Sequence, residues 1–176
     1  MDLVSAARRG RETAFAQLFD EHHLPLFRFA YRLTGSTADA EDIVQECFLE
    51  LLRPTCSYDP ARTPVRTYLF GIVRNQWLKR RRKVEPTASV EVGRQESLDT
   101  DLLRAETSDL VARAVMQLPD TQREVLILAH YEQMPLAEIG RLMDLEVTAV
   151  KSRLQRARVS LKETLAAHAL GLERHA

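Results

Sequence analysis

The sequence predicts an all-α fold: two small helical domains joined by a flexible linker, the second containing a helix-turn-helix. Three observations carry this prediction. Apolar residues recur three and four positions apart, and no strand-like alternation of useful length appears. Ala, Leu, Arg and Glu dominate, and only six Gly and seven Pro punctuate 176 residues, a composition that favours helices. A polar, mostly acidic stretch at 85–107 separates a helical block at 13–83 from a second at 109–168.

In the first block Phe15, Leu18, Phe19, Leu26, Phe29, Ala30 and Leu33 fall at helical spacing, with Pro25 expected to break or kink the segment. Gly35 ends it. Ser36 or Thr37 then caps a new helix with Asp39, Glu41 and Asp42 near its start, where the backbone dipole favours acids. Ile43, Val44, Cys47, Phe48, Leu51 and Leu52 share one face of that helix. Asp42, Gln45, Glu46 and Leu49 share another. Pro54 stops it. A loop at 55–63 follows, and Thr63-Pro64 reads as cap and first helical position of the next helix. There Val65, Leu69, Ile72 and Val73 point one way. Arg66, Phe70, Arg74, Trp77 and Arg81 form a second stripe. The helix runs into the basic cluster Lys79, Arg80, Arg81, Arg82 and Lys83.

The middle stretch sets six acids (Glu85, Glu91, Glu96, Asp99, Asp101 and Glu106) against Arg94 and Arg104, the composition of a solvated linker. Beyond it Leu110, Ala114, Val115 and Leu118 make a short helical face. Pro119-Asp120 opens a helix carrying Val125, Leu126, Leu128 and Ala129. Residues 132–135 turn, 136–143 form a short helix, 144–146 a tight turn, and 148–167 a longer helix. Helix, tight turn, helix is the unit whose second helix enters the DNA major groove. Ile139, Met143, Leu145, Val150 and Leu154 are spaced to form its small core, with Gly140 allowing close approach. Outside that core the second helix displays Lys151, Ser152, Arg153, Gln155, Arg156 and Arg158. Arg and Lys suit guanine edges, Gln suits adenine edges, and Arg also neutralises phosphates.

Several classes are set aside. Lys plus Arg equals Asp plus Glu, at 25 each, so a histone-like binder is excluded and any DNA affinity resides in local patches. No apolar run approaches the ~18 residues of a membrane span. The start of the chain lacks an apolar signal core. Two cysteines, Cys47 and Cys56, are too few for a disulfide scaffold. His22 and His23 point to different helix faces, His168 and His175 lie near the chain end, and no metal site or cofactor is expected. No phosphate loop and no nucleophile motif appears. The expectation is a cytoplasmic, non-enzymatic protein without membrane insertion or a small-molecule substrate.

The stretches Leu118-Pro119-Asp120-Thr121-Gln122-Arg123-Glu124-Val125-Leu126, Ala137-Glu138-Ile139 and Val150-Lys151-Ser152-Arg153-Leu154-Gln155-Arg156-Ala157-Arg158 resemble region 4 of the extracytoplasmic-function sigma factors. Asp39-Ala40-Glu41-Asp42-Ile43-Val44-Gln45-Glu46-Cys47-Phe48 resembles the region 2 helix that docks on the clamp of RNA polymerase. Tyr68-Leu69-Phe70-Gly71-Ile72-Val73-Arg74-Asn75 resembles the segment that melts and reads the −10 element. The resemblance implies a region 2 domain at 1–84, a linker at 85–107, a region 4 domain at 108–170 and a tail at 171–176. It implies −35 contacts by Thr148, Lys151, Ser152, Arg153, Gln155, Arg156 and Arg158. It implies −10 contacts by Tyr58, Asp59, Arg62, Tyr68, Arg74, Asn75, Arg80 and Arg81, with a flipped base held in the loop of Tyr58. It implies polymerase contacts by Asp42, Gln45, Glu46 and Leu49. Its partners would be core RNA polymerase, through clamp helices and flap, promoter DNA, and an anti-sigma factor.

The chain departs from the family pattern at a few positions. Val65 stands where an aromatic is common and Tyr68 where Trp is common. Asp144 replaces a turn Gly, and a Gly common near Thr148 is absent. Ala149 replaces a Thr, and Pro135 a capping Ser or Thr. Asp tolerates the left-handed conformation better than most residues. The residues alone also leave open a stand-alone helix-turn-helix regulator or an interaction protein, such as a sigma mimic that sequesters a partner. The acidic docking helix argues against the first, and the intact basic helix against the second.

Overall fold

The computed structural model describes residues 2–83 and 102–173. Every regular element among them is helical, and they divide into two compact units, one carrying the first four helices and the other the rest.

The first unit contains α1 (Leu3–Arg8), α2 (Glu12–Thr34), α3 (Thr37–Leu52) and α4 (Val65–Lys83). Its core joins Leu18, Leu26, Phe29 and Leu33 of α2, Ile43, Cys47 and Leu51 of α3, and Leu69, Phe70, Val73 and Trp77 of α4. Phe29 and Phe70 meet across α2 and α4 with centroids 5.0 Å apart, a geometry that adds to simple area burial. α1 was not expected, because residues 1–11 read as polar. Asp2 caps it by accepting from the amides of Val4 and Ser5, and Val4, Ala6 and Ala7 are buried. Of the break or kink expected at Pro25, the break does not occur: α2 runs as one helix through it. Proline removes one backbone bond, and the buried His22, Leu26 and Phe29 on either side hold the helix through the gap.

Gly35 closes α2 in the left-handed conformation (φ 71°), and the Ser36 hydroxyl caps α3 by accepting from the Asp39 amide. Of the three acids expected near the start of α3, Asp39 occupies the first turn. α4 begins at Val65, one residue later than expected, with the Pro64 carbonyl accepting from the Tyr68 amide at 3.1 Å. Of the aromatics of α4, Phe70 and Trp77 are core and Tyr68 is half-buried.

The second unit contains α5 (Leu102–Met116), α6 (Asp120–Leu126), a π-helical turn (Ile127–Tyr131), α7 (Leu136–Met143) and α8 (Val147–Glu173). α5 starts inside the expected linker, and α8 begins one residue early and runs into the expected tail. The acids expected to make up the linker before Leu102, and residues 174–176, lie outside the described residues. Residues 123–128 are all buried, a segment enclosed on every side as a central helix must be. There the helix widens: the Glu132 amide donates to the Ile127 carbonyl, and the chain leaves through Gln133 at φ 51°.

Two charged residues sit inside this unit. Arg123 donates to the Met116 carbonyl and pairs with Asp120, clamping the end of α5 to the start of α6. Glu124 is buried beside it.

The expected helix-turn-helix is present. α7 ends at Asp144 in the left-handed conformation (φ 54°), which returns the Leu145 amide to the Gly140 carbonyl at 2.8 Å and closes the helix. A Cβ on Gly140 would stand 2.7 Å from the Leu145 carbonyl oxygen, so only glycine fits there. Ile139, Met143, Val150 and Leu154 are buried and Leu145 is half-buried, as the spacing predicts.

Candidate nucleic-acid interface

On α8 the buried residues Val150, Leu154 and Ala157 face the unit's core. The opposite side carries Thr148, Lys151, Ser152, Gln155, Arg156 and Arg158, all exposed, while Arg153 is half-buried. Thr148, Lys151, Ser152, Gln155 and Arg156 follow spacings of three and four and so form one stripe. The Arg156 guanidinium donates to the Ser152 hydroxyl at 3.1 Å, which holds it along the stripe. Lys151, Gln155 and Arg158 also rim a groove floored by Met134, Leu136 and Leu154. The predicted −35 set is therefore gathered on one helix, with Arg153 turned toward the flank.

In the first unit the predicted −10 set spreads over the loop after α3 and along α4. Tyr58 and Tyr68 lie with ring centroids 5.1 Å apart at 54°. The Tyr68 hydroxyl stands 3.5 Å from the Cys56 sulfur. Burial pushes both phenols up, with Asp2 and Asp59 adding to Tyr58 and the Cys56 bond adding to Tyr68. Both rings thus stay neutral, half-buried faces, suited to stacking on a base. Asp59 shapes the loop: its carboxylate accepts from the Ala61 amide at 2.9 Å, and its carbonyl from the amides of Arg62 and Thr63. Arg62, Asn75 and Arg81 are exposed and Arg74 is half-buried.

Arg80 stands apart from this set. It reaches back to α3, 3.6 Å from Asp39 and 3.7 Å from Asp42. The predicted docking set is otherwise gathered as expected, with Asp42, Gln45 and Leu49 exposed and Glu46 half-buried. Glu46 pairs with Arg53 at 3.7 Å. Beside this face lies an apolar groove lined by Phe15, Phe19, His23, Phe48 and Leu49, with Phe19 stacked on His23 at 4.5 Å. Sequence reasoning assigned no function to the Phe15, Phe19, His23 stripe, although the four-residue spacing of its rings was visible.

Cys47 is inert by placement. It is fully buried, its thiol donates to the Leu69 carbonyl, and burial pushes its pKa far up. Cys56 is half-buried against Tyr68. No group of three or more metal-binding side chains occurs among the described residues, and none of the described helices is long and apolar enough to cross a membrane.

The chain has counterparts among known proteins. The family model for Sigma-70 region 2 matches residues 18–86, and that for Sigma-70 region 4 matches residues 108–161. The chain is 34% identical to the ECF RNA polymerase sigma factor SigL of Mycobacterium tuberculosis, over 94% of this chain and 96% of SigL. Among solved structures it resembles CnrH, seen in complex with the cytosolic domain of CnrY, with a TM-score of 0.71 and 28% identity over 94% of this chain and 96% of CnrH. The sigma factor RpoE from Bartonella quintana, crystallised with the anti-sigma factor NepR, shares the fold, with a TM-score of 0.74 and 23% identity over 86% of this chain and 96% of RpoE. Two region models in order, with a full-length relative above 30% identity, establish the assignment: the chain belongs to the sigma-70 family of promoter-specific transcription initiation factors, among its ECF RNA polymerase sigma factors.

Proposed function

We propose that the two units divide promoter recognition between them. The second reads the −35 element with Thr148, Lys151, Ser152, Gln155 and Arg156, while Arg153 and Arg158 hold flanking phosphates. The first docks on the polymerase clamp through Asp42, Gln45, Glu46 and Leu49. It reads the −10 element with Arg74 and Asn75, captures an extruded base at Tyr58 and Tyr68, and holds backbone with Arg62, Arg80 and Arg81. Opening a duplex requires binding unpaired bases more tightly than paired ones, and aromatic faces flanked by cations do this. The chain contributes no catalytic group, works in the cytoplasm where polymerase is, and is held in check by an anti-sigma partner, as the CnrH complex with CnrY suggests by likeness.

The observation that carries this reading is the two-sided character of α8: Val150, Leu154 and Ala157 anchor it while Thr148, Lys151, Ser152, Gln155 and Arg156 all face solvent. Run-off transcription with purified core polymerase on random promoter fragments tests it. New start sites sharing two spaced motifs are expected when the protein is added. Identical transcripts with and without it would refute the reading.

A further inference from the structure

The region 2 family model begins at residue 18, so α1 lies outside it. A six-residue helix is far too short to be stable alone, and α1 exists because Val4, Ala6 and Ala7 are buried. Both of its ends address one segment, the loop that leaves α3. Arg8, the last residue of α1, sends Nη2 to the carbonyls of Arg53 at 3.1 Å and Pro54 at 3.0 Å. These are the first carbonyls beyond α3. A helix C-terminus is electronegative, and a guanidinium there forms charge-assisted bonds. The Arg53 carbonyl also accepts from the Cys56 amide at 3.0 Å, so Arg8 grips the first turn of the loop. At the other end Asp2 caps α1 and lies close enough to raise the Tyr58 phenol, after burial itself.

Further along the loop, Asp59 builds a turn, and Tyr68 meets Tyr58, Cys56 and Ser57. A pocket for an extruded base must be formed before the base arrives, or binding is weakened by the cost of ordering it. We propose that α1 is a brace for the loop 53–63, and that Arg8 is the positioning residue through which it sets Tyr58 for base capture. The promoter half of this proposal rests on the −10 reading of that loop; the brace itself does not.

The full-length chain with Arg8→Ala and Arg8→Lys tests it. Cys56 lies in the loop and is half-buried, whereas Cys47 is fully buried, so a disulfide reagent reports on the loop alone. Arg8→Ala should speed Cys56 modification about fivefold, the scale of losing one typical net hydrogen bond. Arg8→Lys should recover part of that, since a lysine is a point donor without the planar fork. An unchanged Cys56 rate overturns the brace.

Initiation with core polymerase on promoters altered one base at a time in the −10 element is then compared for Arg8→Ala and Tyr58→Ala. Arg8→Ala should flatten the base preference and slow initiation on duplex DNA by about fivefold, while initiation on a pre-opened template and co-elution with polymerase stay at the unsubstituted level. If Tyr58→Ala alters the preference and Arg8→Ala does not, the promoter half of the proposal is overturned and the loop reading stands. If neither alters it, the loop reading itself has failed. A drop in melting temperature with loss of polymerase association would show a generic stabilising role and also overturn the proposal.

Discussion

Arg80 on α4 stands 3.7 Å from Asp42 on α3, so one ion pair joins the basic end of α4 to the acidic face of α3. Asp39 completes the arrangement at 3.6 Å. The two carboxylates are more than half exposed and the guanidinium about a third, and such solvated pairs contribute at most about 1 kcal/mol. Either carboxylate can therefore exchange partners at little cost.

Changing Asp42 and Gln45 together to Arg should weaken association with core polymerase by at least about tenfold, because like charges across an interface are strongly unfavourable. Co-elution and titration by fluorescence anisotropy would measure it. Loss of the Arg80 pair should lower the unfolding free energy by less than about 1 kcal/mol. Undiminished co-elution would remove the docking role from this face.

Arg156→Glu should cut promoter-directed transcripts by about a hundredfold, the upper range for replacing a base-contacting guanidinium with a repelling carboxylate. The Ser152 bond would be lost as well, without disturbing buried Leu154 or Ala157. Polymerase association should be unaffected. Normal run-off yield from a −35-dependent promoter would argue that α8 reads nothing through Arg156.

Gly140→Ala should destabilise the second unit by about 1–3 kcal/mol, since its methyl would meet the Leu145 carbonyl and force the backbone apart. The contact is with backbone at 2.7 Å, so no side-chain rotation relieves it. Chemical unfolding would show the effect, and protection of −35 DNA should fall with it. A variant as stable as the parent would mean that the turn repacks freely.

His22 gives the first unit an acid-side weakness. Burial lowers its pKa, Glu21 at 3.9 Å opposes the change, and Arg66 reinforces it. The Nε2 atom is buried without a hydrogen-bond partner. The folded state thus binds the proton less well than the unfolded chain, whose histidine titrates near 6.5. The contribution of this site is fully present above that pH and is lost as pH falls through the lowered value. His22→Leu should flatten the stability profile below pH 6.5, as followed by thermal melting across pH. An unaltered profile would place the acid sensitivity elsewhere.

Local punctuation made much of this fold legible. Pro135 and Asp144 bracket α7, and its bounds match the expected 136–143. Ser36 does the same for the start of α3. Tertiary effects were not legible. α1 has too few residues for periodicity to speak, and the Asp2 cap together with burial of Val4, Ala6 and Ala7 sustains it. Pro25 carries a local signal to stop that packing of Leu26 and Phe29 overrides. Nothing in the helical spacing marked Arg123 and Glu124 as interior, yet both are buried. For the candidate site, helical spacing sufficed to collect the α8 stripe on one side. It gave no sign that Arg80 would turn to α3, because that pairing joins residues 38 positions or more apart in the chain.

The turn between α7 and α8 has an evolutionary corollary. Its shape is set by the Asp144 backbone, the missing Cβ of Gly140 and five apolar side chains, Ile139, Met143, Val150, Leu154 and Ala157. None of these belongs to the exposed stripe of α8. Substitutions at Thr148, Lys151, Gln155 or Arg156 therefore leave the scaffold untouched, and that surface is free to diverge while the fold is kept.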